Sequence, residues 1–429
     1  MLALGRFCKY LVFRVRKAAP ILASLLILLP IGCQRSDSDF QRLTSMHISG
    51  GVYDCFSVSD EGVVIFVEHE WRYDDPHVGP AWCTPTLHRM YPDGRVESKE
   101  LPTLRETSPT LTVDGNLVTP ENGNKVTYID LSTFSTITIE DSRLAKLAKE
   151  KLAEEKLFFD SGFVVYLIGR PGHCKGVGVY NPATQEDINT FWGEHYDANL
   201  MSVWGDCVIA LAADLMHPWP SGIRSFIYLI TLDGEQRHNF SLPGSYLIEE
   251  IEAMSDGLIV SGYANYSYFK GDLAVERYSF DGNKEVSYPL PDIESGDGCA
   301  ARIKIIPGEK GSVVVATQPS SEDLVEPKDI RGCAYIGYFD AETGEEIHSR
   351  SNDKEAVTFY PLKEVGHYYM HPSTPDWKVS SGGEIALFDY DNKIASMYFG
   401  GKLDAFVASP SGKFFAIVSG GRVSLYTPK

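Results

Sequence analysis

The sequence predicts an all-β protein, a β-propeller of four-stranded antiparallel blades, and three observations carry that reading. Short runs rich in Val, Ile, Tyr and Phe, among them VVIFVEHE, GFVVYLIG, SFIYLITLD, SVVVATQ and FFAIVSG, follow one another along the chain, bounded by Gly, Asp, Asn and Pro. A turn carrying Gly before an apolar run recurs at Gly62, Gly115, Gly162, Gly205, Gly257, Gly311, Gly366 and Gly412, at intervals of 43 to 55 residues that average 50. A second turn, centred on Asp or Asn after an aromatic-rich strand, falls 15 to 31 residues later in every repeat but the last: Asp93, Asp130, Asn181, Asp233, Asp281, Asp340 and Asp391.

Two tight hairpins per repeat describe strands A, B, C and D, with the Gly turn joining A to B and the Asp turn joining C to D. Eight Gly turns give eight blades; seven is the alternative if a turn is coincidental in a Gly-rich chain. The eighth repeat stops at Tyr426-Thr427-Pro428, before its strand D, while residues 43–50 (LTSMHISG) precede the first strand A. Donation of that N-terminal strand to the last blade would close the ring and remove exposed edges. One segment breaks the pattern. Residues 142–157 (SRLAKLAKEKLAEEKL) are strong helix formers with Leu144, Leu147 and Leu152 on one face, which predicts a helix between blades two and three, either a surface prop or a partner-binding element.

Composition and charge narrow the partners. With 43% hydrophobic and 23% charged residues, the chain is neither disordered, collagenous nor a coiled coil. The net charge is −19, yet the first 32 residues hold five bases and no acid, leaving −24 on the remainder. A body that acidic is repelled by phosphate backbones, so nucleic acid is not an expected partner.

The N-terminus reads as an address. A basic stretch over 1–19 precedes an apolar one, PILASLLILLPIG at 20–32, and small Gly32 stands before Cys33. Thirteen apolar residues cover roughly 20 Å as a helix, short of the ~30 Å hydrocarbon core, which favours a secretory signal over a spanning helix. Leu29-Pro30-Ile31-Gly32-Cys33 resembles the lipobox of bacterial lipoproteins, with Pro30 where that family prefers Leu. The resemblance implies acylation of the Cys33 thiol and a membrane anchor. Gln34 rather than Asp after the Cys implies the outer membrane. The expected organisation is a signal over 1–32, a tether over 33–44 and a monomeric propeller over 45–429. Six further cysteines remain outside the signal and lipid site, an even set that suggests disulfides in an exported chain. Cys55 and Cys299 fall early in strands A, and Cys83 and Cys333 just before strands C, so 55–83 and 299–333 are equivalent expected bridges. Cys174 and Cys207 fall at opposite rims and are expected to stay unbridged.

Other motifs resemble propeller families. Asp340-Ala341-Glu342-Thr343-Gly344 looks like the outer-turn motif of quinoprotein-like propellers, D-x-x-T-G and then Trp, with His348 at the Trp position. Asn181-Pro182-Ala183-Thr184-Gln185 and Asp130-Leu131-Ser132-Thr133 echo it without the Gly, and Ser409-Pro410-Ser411-Gly412-Lys413 is similar to a hairpin of WD40-like and translocation-associated propellers. These resemblances imply fold; no cofactor is expected.

A scan for chemistry is largely empty: no G-x-S-x-G, no H-E-x-x-H, no P-loop and no C-x-x-C occurs. The Asp389-Tyr390-Asp391-Asn392 turn has half of a calcium loop and reads as a plain hairpin; no metal site is expected. The informative signal is an asymmetry between loops. B–C connections read as long in six blades, over 70–84, 169–175, 213–224, 264–272, 317–333 and 371–383, and they share one rim with the D–A connections. They carry Trp71, Tyr73, Asp74, Asp75, His77 and Trp82, then His173, His217, Trp219, Tyr268, His371 and Trp377. Rigid aromatics with polar tips suit a protein or glycan partner; folded over one another, they would instead form loop mini-cores. Two function classes follow. One is a cell-envelope binding or scaffold module; the other is an envelope hydrolase or lyase using Asp74, Asp75, His77, His173, His217 and His371. Convergence of those side chains on one point discriminates between them.

Overall fold

Strands follow the two turn phases around the ring. The computed structural model describes residues 38–429 except 53–55, 73–81, 103, 106–108, 122, 150–155, 171–172, 206, 215–223, 234, 245, 268–269, 292–300, 309–310, 320–333, 353–356, 373–382 and 400–401. Blade one contains Ser57–Val58, Val64–Arg72, Trp82–Met90 and Val96–Glu100 as strands A to D, with Gly51–Val52 alongside strand B and Leu104–Arg105 alongside strand C. Blade five, Tyr246–Ala253, Gly257–Ser267, Lys270–Ser279 and Lys284–Tyr288, shows the unit in regular form, as do blade six (Ala301–Pro307, Ser312–Pro319, Ala334–Asp340, Glu346–Asn352) and blade seven (Val357–Pro361, His367–Pro372, Gly383–Asp389, Asn392–Phe399). Blade two is shorter, with Thr110–Leu111, Leu117–Pro120, Lys125–Ile129 and Thr136–Glu140. The ring has eight blades.

Blades three and four share a strand. Glu186–Trp204 pairs through its first half with His173–Asn181 of blade three and through its second with Cys207–Asp214 of blade four. Register shifts at Tyr196/Ala198 and Leu200/Ser202 mark its second half; such irregularities bend a strand and increase its twist. Lys156–Phe158 and Val164–Arg170 complete blade three; Arg224–Thr231 and Gln236–Ser241 complete blade four.

The N-terminal strand closes the ring. Phe40–His47 pairs antiparallel with Arg422–Pro428 and so becomes strand D of blade eight, after Ala405–Ala408 and Phe415–Ser419. It begins three residues before the expected Leu43, because Phe40 is buried against Phe415 in an edge-on contact at 4.9 Å.

Among the described residues the apolar core is eight clusters, one in each seam between adjacent blades. The seam from blade five to six joins Ile259 and Val275 to Ile305, Val313 and Val315, for example. Alternation along each strand delivers one side-chain set to each neighbouring blade, which is why central strands read as nearly continuous apolar runs. Polar clamps cross the same seams. Arg89 on strand C of blade one donates to the Leu131 carbonyl of blade two, and Arg277 of blade five donates to the Ala341 carbonyl of blade six at 2.9 Å. Each carbonyl belongs to the residue after the turn Asp.

The turn residues follow from geometry. All eight Gly turns join A to B, and seven of the eight glycines hold positive φ, from 57° to 88°. Gly257 is the exception; its lacking Cβ instead admits the Tyr278 carbonyl oxygen, 2.4 Å from where that carbon would stand. In the outer turns the aspartate works as a local acceptor: Asp340 takes the N–H of Glu342 and Thr343 and the Thr343 hydroxyl, and Asp130 takes the N–H of Ser132 and Thr133 and the Ser132 hydroxyl. His348, standing where the resembling family carries Trp, packs its ring between Tyr338 and, across the seam, Tyr390.

The helix is shorter than its composition predicts. Ser142–Lys149 is helical, capped by Asp141, whose Oδ1 accepts the Leu144 N–H at 2.8 Å, and Leu144 and Leu147 are buried. Lys156 and Leu157, expected as helix, belong to Lys156–Phe158, strand A of blade three, paired with Val164–Tyr166. Tertiary pairing overrides helix propensity there.

Candidate binding rim and channel wall

Connection lengths separate the two rims. Strands alternate direction, so A–B and C–D turns lie on one rim and B–C and D–A connections on the other. By the strand bounds, no A–B or C–D turn exceeds six residues, whereas B–C connections run over 73–81, 215–223, 320–333 and 373–382 in blades one, four, six and seven. The D–A segments 101–109, 141–155 and 289–300 lie on that same rim. Two connections expected to be long are tight: strands B and C are separated only by 171–172 in blade three and 268–269 in blade five, because the strands extend into the expected loops.

Several candidate residues sit at this rim in the backbone register. Trp71 pairs opposite Cys83 and Arg72 opposite Trp82 at the ends of strands B and C in blade one, and Trp82 also pairs with Arg105. His173 begins strand C of blade three, opposite Arg170. His371 lies on strand B of blade seven, opposite Thr358. Tyr73, Asp74, Asp75, His77, His217, Trp219, Tyr268 and Trp377 lie outside the described residues, as do Cys33, Cys55, Cys299 and Cys333. Cys83 is buried. Cys174 pairs with His195 and Cys207 with Trp204, at opposite ends of one strand half each, which puts the two thiols on opposite rims.

His371 and His173 are not neighbours. Blades three and seven stand across an eight-bladed ring from each other, so one reacting atom cannot meet both. The His371 ring stacks on Phe406 of blade eight, centroids 4.6 Å apart, and its Nδ1 lies 3.1 Å from the Pro372 carbonyl. Burial pushes its pKa down to about 4, so the imidazole is neutral at pH 7. Among the described residues no group of three or more His, Cys, Asp and Glu could hold a metal ion.

The innermost strands hold a second polar feature that the sequence reading missed. Strands A of neighbouring blades approach each other around the axis. Glu250 on strand A of blade five accepts the Ile305 N–H of blade six through Oε2 at 2.6 Å. Ile305 belongs to the inner edge strand, whose outer partner is Val315. Burial raises the Glu250 pKa to about 7; the Ile305 N–H and Lys304 oppose that rise, and Glu252 adds to it. Lys304 lies 5.6 Å from the centroid of Tyr360 of blade seven, which meets Phe406 edge-on at 5.4 Å. An acid, a cation and two rings thus line four consecutive blades. The visible signal was Glu249-Glu250 and Glu252 interrupting an apolar strand, with a register shift at Ile248/Glu250.

No family model matches the sequence, and no curated protein does. Solved structures match by shape. The C-terminal WD40 domain of Sif2 superposes with a TM-score of 0.50 at 8% identity, covering 90% of this chain and 98% of that one. The chain resembles a WD40 propeller in fold. BamB from Moraxella catarrhalis gives a TM-score of 0.46 at 11% identity over 90% of this chain and 99% of that one. The β-propeller domain of the Trilobed protease from Pyrococcus furiosus gives 0.43 at 14% identity over 80% and 96%. These likenesses concern the fold alone; a propeller hosts binding and catalysis alike.

Proposed function

We propose that this chain is a lipid-anchored cell-envelope module that binds or scaffolds a protein or glycan at the rim carrying the B–C connections. The supporting observation is the one-sided distribution of long connections on a scaffold whose other rim has only tight turns. His173 and His371 on opposite blades favour a spread contact surface over one reacting centre. In this reading residues 1–32 direct export, Cys33 carries the lipid, residues 33–44 tether the propeller, and the outer membrane is the destination. The acidic body argues against nucleic acid as the partner.

The test uses the full chain and its Trp219→Ala/Trp377→Ala double variant, immobilised and exposed to envelope extract, with captured proteins and glycans identified by mass spectrometry. Capture of one species by the parent and its loss in the variant, at an unchanged thermal midpoint, is the expected result. Equal capture by both, or a variant whose midpoint collapses while capture persists, would end the rim reading. Mass spectrometry of the mature N-terminus reads the anchor: a lipid on Cys33 is expected, and an unmodified chain starting elsewhere overturns it.

A further inference from the structure

Blade one carries a hydrogen-bonded Ser–His–Glu series on three adjacent strands. Glu68 stands on strand B, His88 on strand C and Ser98 on strand D, and the register pairs His88 directly with Ser98. His88 Nδ1 lies 2.8 Å from Ser98 Oγ, and His88 Nε2 lies 3.1 Å from Glu68 Oε2. The His88 side chain is 6% exposed and its ring is stacked on Phe66, while Ser98 is exposed on the outermost strand.

The protonation pattern follows from the partners. Burial tends to raise the Glu68 pKa, but hydrogen bonds from the Gly50 and Ser49 amides and the Ser49 hydroxyl outweigh it and hold the carboxyl below its ordinary range. Burial holds His88 below its ordinary value despite the opposing pull of Glu68, so the ring is neutral at pH 7. An ionised carboxylate only accepts, so Nε2 must carry the proton. Nδ1 then presents a lone pair, and the Ser98 hydroxyl must donate to it. That is the tautomer a serine nucleophile requires of its base, with base and orienting acid both within hydrogen-bond reach.

We propose that Ser98 is a nucleophilic serine, with His88 as its general base and Glu68 as the positioning residue, that accepts an acyl group from an activated carboxylic ester. In that step the Ser98 Oγ–carbonyl carbon bond forms and the bond from that carbon to the leaving alkoxide breaks. The Oγ proton passes to His88 Nδ1 and from there to the departing alcohol. The site lies on the ring's perimeter at the seam with blade eight, so it stands or falls apart from the rim reading.

The probe is a fluorophosphonate on the full chain, where Oγ–P forms, fluoride leaves and the Oγ proton passes through His88 to solvent. Expected is an adduct on the Ser98 peptide, absent in Ser98→Ala and at least tenfold slower in a folded His88→Gln. Across pH 6.5 to 8 the wild-type rate should be flat, because neutral His88 is the base throughout. Glu68→Gln should move the acid limb of that profile to lower pH, since imidazolium loses its carboxylate. Labelling of Ser98 no faster than in the urea-unfolded chain, or equal in His88→Gln, overturns the proposal. Should His88→Gln fail to fold, a wild-type rate climbing tenfold per pH unit through that range overturns it, and a plateau supports it. An acid limb that Glu68→Gln leaves unmoved removes Glu68 from the relay.

Discussion

Glu68 Oε1 accepts the Gly50 N–H at 2.8 Å, and a Cβ on Gly50 would stand 2.3 Å from the His69 carbonyl oxygen. The same carboxylate oxygen takes the Ser49 amide and hydroxyl at 2.6 and 2.9 Å. Ser49 and Gly50 link the ring-closing strand Phe40–His47 to Gly51–Val52, which pairs with strand B of blade one. One acid therefore fastens the end of the closing strand to the first blade.

Removing either side should loosen that seam. Glu68→Ala strips a charged acceptor from four donors, the Gly50 and Ser49 amides, the Ser49 hydroxyl and His88 Nε2–H, and should cost about 2–3 kcal/mol. Gly50→Ala forces a carbon against a backbone carbonyl and should cost roughly 1–3 kcal/mol. Urea unfolding with an unchanged m-value is the measurement; midpoints equal to the parent's would show that closure does not depend on this contact.

The outer turns permit a contrast between two unfavourable residues. Gly344 follows Asp340-Ala341-Glu342-Thr343 with φ of 73°, and Phe134 and Gln185 occupy the equivalent positions at 60° and 58°. A side chain in that region costs ~1–2 kcal/mol, partly offset by the greater unfolded-chain entropy of Gly. Gln185 is exposed, so Gln185→Gly should stabilise by roughly 0.5–1 kcal/mol. Phe134 lies under the Arg89 guanidinium, 4.2 Å from its ring centroid, and packs against the cluster between blades one and two. Phe134→Gly should therefore destabilise despite relieving the same backbone. Thermal midpoints moving in the same direction would refute the account.

Turn positions were legible in the sequence because turn geometry dictates residue type: positive φ selects Gly, and an Asx-type acceptor selects Asp or Asn. Loop extents were less legible. Ala264-Asn265-Tyr266-Ser267 reads as loop by its polarity yet continues strand B of blade five, since pairing with strand C runs on to Ser267 opposite Lys270 and backbone pairing at a rim tolerates polar residues. No spacing announced that Glu186–Trp204 serves two blades. An acid in a strand ordinarily marks a solvated face, so the sequence does not single out Glu250; its role depends on the Ile305 amide, 55 positions along the chain.

The Arg277 clamp gives a prediction about blade-to-blade cohesion. Its guanidinium is nearly buried, donating to the Ala341 carbonyl at 2.9 Å and Asp256 at 2.7 Å, with Glu285 3.1 Å from Nε. Arg277→Met keeps the aliphatic bulk but leaves a buried carbonyl with one donor, the Tyr288 hydroxyl at 3.0 Å. A loss of about 2–3 kcal/mol is expected. Arg277→Lys should recover only part of it, because a single ammonium cannot reproduce the fork. Full recovery by lysine in chemical unfolding would mean that charge alone matters.

Two half-buried acids should pull the pH dependence of stability in opposite directions. Glu68 has a folded pKa below its ordinary 4.5, so its contribution is present above that value and is lost as pH falls through the folded pKa. His88, also depressed, is neutral when folded; the unfolded chain takes up its proton below 6.5, which weakens the fold in acid too. Glu250 is the reverse case. Its pKa rises from 4.5 to about 7, so the folded chain holds a proton that the unfolded chain has released. Stability from that proton is present below 4.5 and declines as pH rises through about 7, by roughly 1–3 kcal/mol in all. Glu250→Gln keeps a neutral acceptor for the Ile305 amide and removes the titration. The variant's unfolding free energy should therefore lose the downward slope between pH 4.5 and 7 and exceed the parent's at pH 8. Parallel parent and variant curves across that interval would show that Glu250 does not carry the buried proton.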